Sequence, residues 1–103
     1  MTFEEFQLSV ENKLPPGFSS HLKSLWYDKK GEWDRAHQIA QELVDSDGSW
    51  VHAYLHRVEG DKWNSNYWYS RAGKEIPVLR LEEEWEQLVR YFLNKDNQEH
   101  ETK

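Results

Sequence analysis

Trp50-Val-His-Ala-Tyr-Leu-His-Arg-Val-Glu-Gly-Asp61, followed at once by Lys62-Trp-Asn-Ser-Asn-Tyr-Trp-Tyr-Ser-Arg-Ala-Gly73, decides the fold of this chain. It crowds aromatics, two histidines four residues apart and two punctuating glycines into a short span. It also echoes Leu25-Trp-Tyr-Asp-Lys-Lys-Gly-Glu-Trp-Asp-Arg-Ala36. Setting Gly31 on Gly60 places Glu32 on Asp61, Asp34 on Trp63 and Ala36 on Ser65, a period of 60 − 31 = 29. Self-similarity at such a period is the signature of stacked helical hairpins.

Outward from this pair, Gly and Pro divide the chain into helical pieces. Thr2 with Glu5 forms a capping box, and Phe3, Phe6 and Val10 share one helical face, which predicts a helix over residues 3–11. Pro15-Pro16-Gly17 stops it. Ser19 or Ser20 caps a helix carrying Leu22, Leu25 and Trp26, which ends at Gly31 with Lys29 and Lys30 in its last turn, where cations complement the helix dipole. Trp33, Ala36, Ile39, Ala40 and Leu43 mark an amphipathic helix over 32–44. Asp45-Ser-Asp-Gly-Ser49 reads as a turn, and helices follow over 50–59 and 66–72. Leu81, Trp85, Leu88, Val89 and Phe92 predict a last helix over 78–94, with Glu82, Glu83 and Glu86 on its outer face, and the run Glu82-Glu-Glu-Trp-Glu86 reads as a solvated acidic face around one buried Trp. No stretch alternates with period 2. The expected fold is all-α, five to six short helices, forming one domain over 1–96 and a frayed polar tail over 97–103.

Composition narrows the function classes. Hydrophobic residues make up 37% but aromatics 15%, with six Trp, so the core is built from few, large side chains. The net charge of −6 opposes nucleic-acid binding, which needs Lys and Arg to displace phosphate counterions. The segment 52–80 is locally basic, with Arg57, Lys62, Arg71, Lys74 and Arg80 against Glu59, Asp61 and Glu75. Absence of cysteine removes disulfides, thiol catalysis and thiolate metal sites. With neither a signal-peptide pattern nor a run of roughly 20 apolar residues, a soluble cytoplasmic protein is expected, with no membrane contact.

Leu25-Trp-Tyr-Asp-Lys-Lys-Gly-Glu-Trp-Asp-Arg-Ala-His-Gln-Ile-Ala-Gln-Glu-Leu43 resembles a tetratricopeptide (TPR) hairpin junction. Tyr27, Gly31, Trp33, Ala36 and Ala40 match the family's roles, as do Tyr54, Gly60, Asp61 and Ser65 in the second copy. Trp63 sits one place late, and the period falls short of the roughly 34 residues of that family. The resemblance covers about residues 20–73 and implies two TPR-like antiparallel hairpins capped by the N- and C-terminal helices. The segment Ala36–Gly73 also looks like a family of small uncharacterised bacterial helical proteins, which implies no assigned activity.

Two constellations carry candidate chemistry. His52 and His56 stand at i and i+4 with Glu59 three residues on, and His37 lies on the preceding helix. If the helices pack as neighbours, His37, His52, His56 and Glu59 form a ligand set for zinc or another divalent metal, which take imidazole nitrogen and carboxylate oxygen. The plainer expectation has these histidines bridging core and surface. Tyr67-Trp-Tyr69 cannot point one way, because successive side chains lie about 100° apart on a helix. The C-terminal helix is expected to cover this run through Trp85 and Phe92. Rings left uncovered, with Arg57 and Arg71 beside them to clamp a carboxylate or phosphate, would make a binding surface.

Together these features favour a non-enzymatic module that binds a protein or peptide through His52, His56, Arg57, Tyr67, Tyr69 and Arg71. It is expected as a monomer or weak homodimer without cofactor. The alternative is a divalent-metal protein or small hydrolase built on His37, His52 and His56.

Overall fold

Thr2 opens the first helix as its spacing requires. Its hydroxyl accepts from the Glu5 amide at 3.1 Å while the Glu5 carboxylate accepts from the Thr2 amide at 2.8 Å. In the computed structural model, which describes the backbone of residues 1–101 and the side chains of 1–96, six helices follow one another. They are α1 (Phe3–Ser9), α2 (Ser20–Lys29), α3 (Trp33–Gln41), α4 (Ser46–Val58), α5 (Lys62–Ala72) and α6 (Leu81–Glu101). The described residues contain no strand, and the fold is all-α. The frayed tail expected over 97–103 falls outside the fully described residues.

The echo of 29 residues is visible in the backbone. At the end of α2 the Gly31 amide donates to Asp28 O and the Glu32 amide to Tyr27 O. At the end of α4 the Gly60 amide donates to Arg57 O and the Asp61 amide to His56 O. Gly31 and Gly60 adopt φ of 93° and 84°, the left-handed conformation that such a helix stop demands and that glycine adopts without steric cost. Both turns send the chain back along the helix just left, so α2 packs on α3 and α4 on α5.

Helix starts differ from the sequence expectation wherever a carboxylate caps the helix. Asp45-Ser-Asp-Gly-Ser49 is not a turn but the entrance to α4: Asp45 Oδ1 accepts from the Gly48 amide at 2.8 Å. Asp61 likewise takes the Asn64 amide at 3.1 Å and starts α5 at Lys62 rather than Asn66. Pro77 holds residues 74–80 out of helix, so α6 begins at Leu81 and not at 78, and Glu83 reaches back to the Arg80 amide at 3.0 Å.

The core lies where α6 crosses α1, α2 and α4. Trp85 meets Phe3 edge-on, with ring centroids 5.6 Å apart, and donates its indole N–H to Leu25 O at 3.0 Å. Leu22, Leu25, Leu55 and Leu88 are wholly buried, each stabilising the fold by about 1.5–3 kcal/mol. Helix α5 packs mainly on α4, touches α6 through Tyr69 and Glu84, and leaves its outer face open.

Candidate functional site

Helices α3 and α4 deliver three histidines to one point. Spacing of i, i+4 puts His52 and His56 on one face of α4, with imidazole planes stacked at 4.9 Å. Across from them, Ala36 and Ala40 are wholly buried, and their small side chains let α3 sit close on its neighbours. His37, one position from Ala36, then reaches across, and its Nε2 stands 2.9 Å from His52 Nε2. One nitrogen from each of the three rings lies within 4.8 Å of the other two. The convergence that the sequence left open is present.

The walls are aromatic. Trp33, one turn before His37, stacks on it with ring centroids 4.9 Å apart. Trp68 of α5 stacks on His52 at 4.0 Å. Trp33 is fixed in place by its indole N–H, which donates to Leu55 O at 2.8 Å. Outside His56 stands Glu59, whose carboxylate is 2.6 Å from Nδ1. Glu59 is thus an orienting partner of His56, and Nε2 is the imidazole nitrogen left for an ion. Carboxylates that hold a ligand histidine in this way set its tautomer and ring orientation. Asp61 lies close by, so His56, Glu59 and Asp61 form a second, more exposed group of ligand atoms.

Electrostatics keep the inner rings neutral. His52 is 6% exposed, and burial together with the neighbouring His37 and His56 lowers its pKa to about 4. His37 is shifted down by burial and then by His56. A 2.9 Å contact between two imidazole nitrogens needs one donor and one acceptor, so at least the accepting ring is neutral. Neutral imidazole is the form that binds metal.

The second constellation divides. Tyr69, expected on the contact surface, is 1% exposed and belongs to the core, where its hydroxyl donates to both Glu84 carboxylate oxygens at 2.8 and 2.6 Å. Arg57 is committed as well. Its Nη1 donates to Glu84 Oε1 at 2.8 Å and its Nη2 to Leu79 O. His52 and His56 are buried, so the expected contact surface keeps only Tyr67 and Arg71. The Arg71 guanidinium donates to the Tyr67 hydroxyl at 3.1 Å. Trp85 and Phe92 do not cover the Tyr67–Tyr69 run: Trp85 packs on Phe3 and Phe6, and Phe92 on His21.

Two features were missed in the sequence. Trp63 stands 80% exposed on α5, in line with Tyr67 and Arg71. Glu84, read as part of a solvated acidic face, is 1% exposed and accepts from Arg57, Tyr69 and the Trp50 indole. A signal for Glu84 existed: Leu81, Glu84, Trp85 and Leu88 fall at i, i+3, i+4 and i+7, which sets a carboxylate in the apolar stripe.

A groove of about 610 Å³ between α2 and α3, bordered by Lys23, Tyr27, Arg35 and Glu42, does not touch the histidines. No described helix is long and apolar enough to cross a membrane. Comparison of the chain with protein-family models, curated proteins and solved structures finds no match.

Proposed function

We propose that this helical protein binds a borderline divalent transition ion, with zinc the reference case, through His37, His52 and His56. The observation that carries the reading is the approach of three imidazole nitrogens to within 4.8 Å in a pocket that keeps two of the rings neutral. Tetrahedral zinc with Zn–N bonds of about 2.0–2.1 Å sets its ligand nitrogens about 3.3 Å apart. The 2.9 Å pair must open slightly and the widest pair must close, movements within reach of χ rotations. Three imidazoles leave a fourth position for water or an incoming group. An ion would also tie α3 to α4. In this reading the chain stores, carries or senses the ion in the cytoplasm; hydrolysis would require a substrate cleft above the open position, and the 610 Å³ groove lies elsewhere.

Cobalt(II) titration of chelator-stripped protein tests this directly. Tetrahedral N-ligated cobalt should give a strong visible band that saturates at one equivalent and is lost in His52→Ala. A weak octahedral spectrum unchanged by that substitution would remove the reading.

The exposed stripe of α5 favours a second reading, a TPR-like module that docks a protein. Trp63, Tyr67 and Arg71 are of the residue types enriched at interaction hot spots, and Trp63 and Tyr67 are 80% and 48% exposed. If this stripe pairs with another copy of the chain, Trp63→Ser with Tyr67→Ser should convert a dimer to monomer in sedimentation. A wild-type monomer at all concentrations would leave only a foreign partner for this surface.

A further inference from the structure

Residues 74–80 pass without helix over the ion pair of Arg57 and Glu84. At one end the Lys74 amide donates to Tyr69 O at 3.0 Å, and the Lys74 ammonium lies 4.2 Å from the centre of a Trp50 ring. At the other end Arg57 Nη2 donates to Leu79 O. A cavity opens on each side of Ile76 and Pro77. The first, about 340 Å³, has the Glu84 carboxylate, Lys74 and Glu75 among its walls. The second, about 330 Å³, has Arg57 and Lys62 with Ser65 and Asn66. Tyr69, Ile76 and Pro77 complete the second with apolar surface.

We infer that this second cavity is a binding site for a small monocarboxylate with a compact apolar body. Two cations and two neutral polar side chains line it, and no carboxylate does. Arg57 donates to Glu84 and Leu79 and touches the Tyr69 hydroxyl, its side chain stays 24% exposed at the cavity, and the Glu84 contact holds the guanidinium rigid. Lys62 enters no ion pair among the described residues. Ligand charge is limited by Glu84. With that carboxylate already 2.8 Å from Arg57, the site offers about one net positive charge, which suits a monoanion and opposes a phosphate dianion. Size is limited by volume, since about 330 Å³ lies at the small end of ligand pockets. Ile76 and Pro77 supply the accessible apolar wall, with the buried Tyr69 beneath them, and burial of an apolar body there adds to the charge-assisted hydrogen bonds.

Phenylacetate is the probe, with phenylacetamide as its uncharged counterpart. In ¹⁵N NMR titrations with chelator present, phenylacetate should give saturable shifts at Lys62, Ser65, Asn66 and Ile76. Phenylacetamide should bind at least about 10-fold more weakly, one charge-assisted contact's worth. Lys62 is exposed, so Lys62→Ala should fold normally and weaken phenylacetate by about 5- to 10-fold. The chelator keeps the histidines free of metal throughout, which separates this site from theirs. The inference is overturned by the absence of saturable shifts up to about 20 mM, by equal binding of the amide, or by an unchanged affinity in Lys62→Ala.

Discussion

Removing the Glu84 carboxylate should be among the most damaging single changes in the molecule. Glu84 is 1% exposed and accepts four contacts, from Arg57, from Tyr69 at both oxygens, and from the Trp50 indole at 3.2 Å. Glu84→Ala leaves a guanidinium beneath residues 74–80 without its counter-charge. Breaking a buried pair from one side costs about 3–5 kcal/mol. The Tyr69 hydroxyl and Trp50 indole are stranded in addition, at about 1–3 kcal/mol each if no water reaches them. These losses share one partner and do not add, so about 4–5 kcal/mol is expected, against a total stability of about 5–15 kcal/mol for a chain of this size. Guanidinium chloride unfolding at pH 7, followed by tryptophan fluorescence, measures it as a fall in midpoint at constant slope. A double-mutant cycle sharpens the test. Arg57→Met with Glu84→Leu removes both charges and should recover a few kcal/mol relative to the sum of the single changes. A loss below about 1 kcal/mol in Glu84→Ala, or strict additivity in the cycle, would mean that Glu84 faces water and that the network is not formed.

Tyr69→Phe keeps the buried ring and deletes only the hydroxyl, so calorimetry should show a loss of about 1–2 kcal/mol, well short of Glu84→Ala. Metal-free protein should lose stability as pH falls from 6.5 towards 4. Unfolding returns His52 from about 4 to its ordinary 6.5, so the unfolded chain binds the extra proton, which amounts to about 3 kcal/mol over that window. Urea midpoints at pH 7.5 and 5 should show a smaller difference in His52→Gln than in wild type, and an equal difference would refute this origin. Gly60→Ala should cost about 1 kcal/mol in thermal unfolding through its φ of 84° alone, because nothing stands near the added Cβ. Gly48→Ala should cost more at an ordinary helical φ, because its Cβ would strike Leu43.

Local chemistry was the legible part of this chain. Gly31 and Gly60 announced their left-handed helix stops through the echo of 29 residues, and Thr2 announced α1. Starts were misplaced at α4 and α5 because Asp45 and Asp61 sit in polar runs that read equally as turns. What could not be read depends on approach between helices. Nothing in the spacing of His37 and His52 says that α3 and α4 come near enough for a 2.9 Å contact; buried Ala36 and Ala40 permit it, and only the packed chain shows it. Tyr69 was placed on a surface because three adjacent aromatics on one helix cannot all be buried, yet which one turns inward is chosen by Glu84, 15 residues away. The Glu82–Glu86 run concealed Glu84 because composition overrode period.

The central claim, that His37, His52 and His56 together hold one ion, is tested most directly by native mass spectrometry of chelator-stripped, tag-free protein given zinc near pH 7.5. One zinc per 12.5 kDa chain is expected, absent in His52→Ala and lost as the solution is brought well below pH 6. A chain that stays metal-free with zinc in excess, or one that keeps its zinc in His52→Ala, would contradict the account.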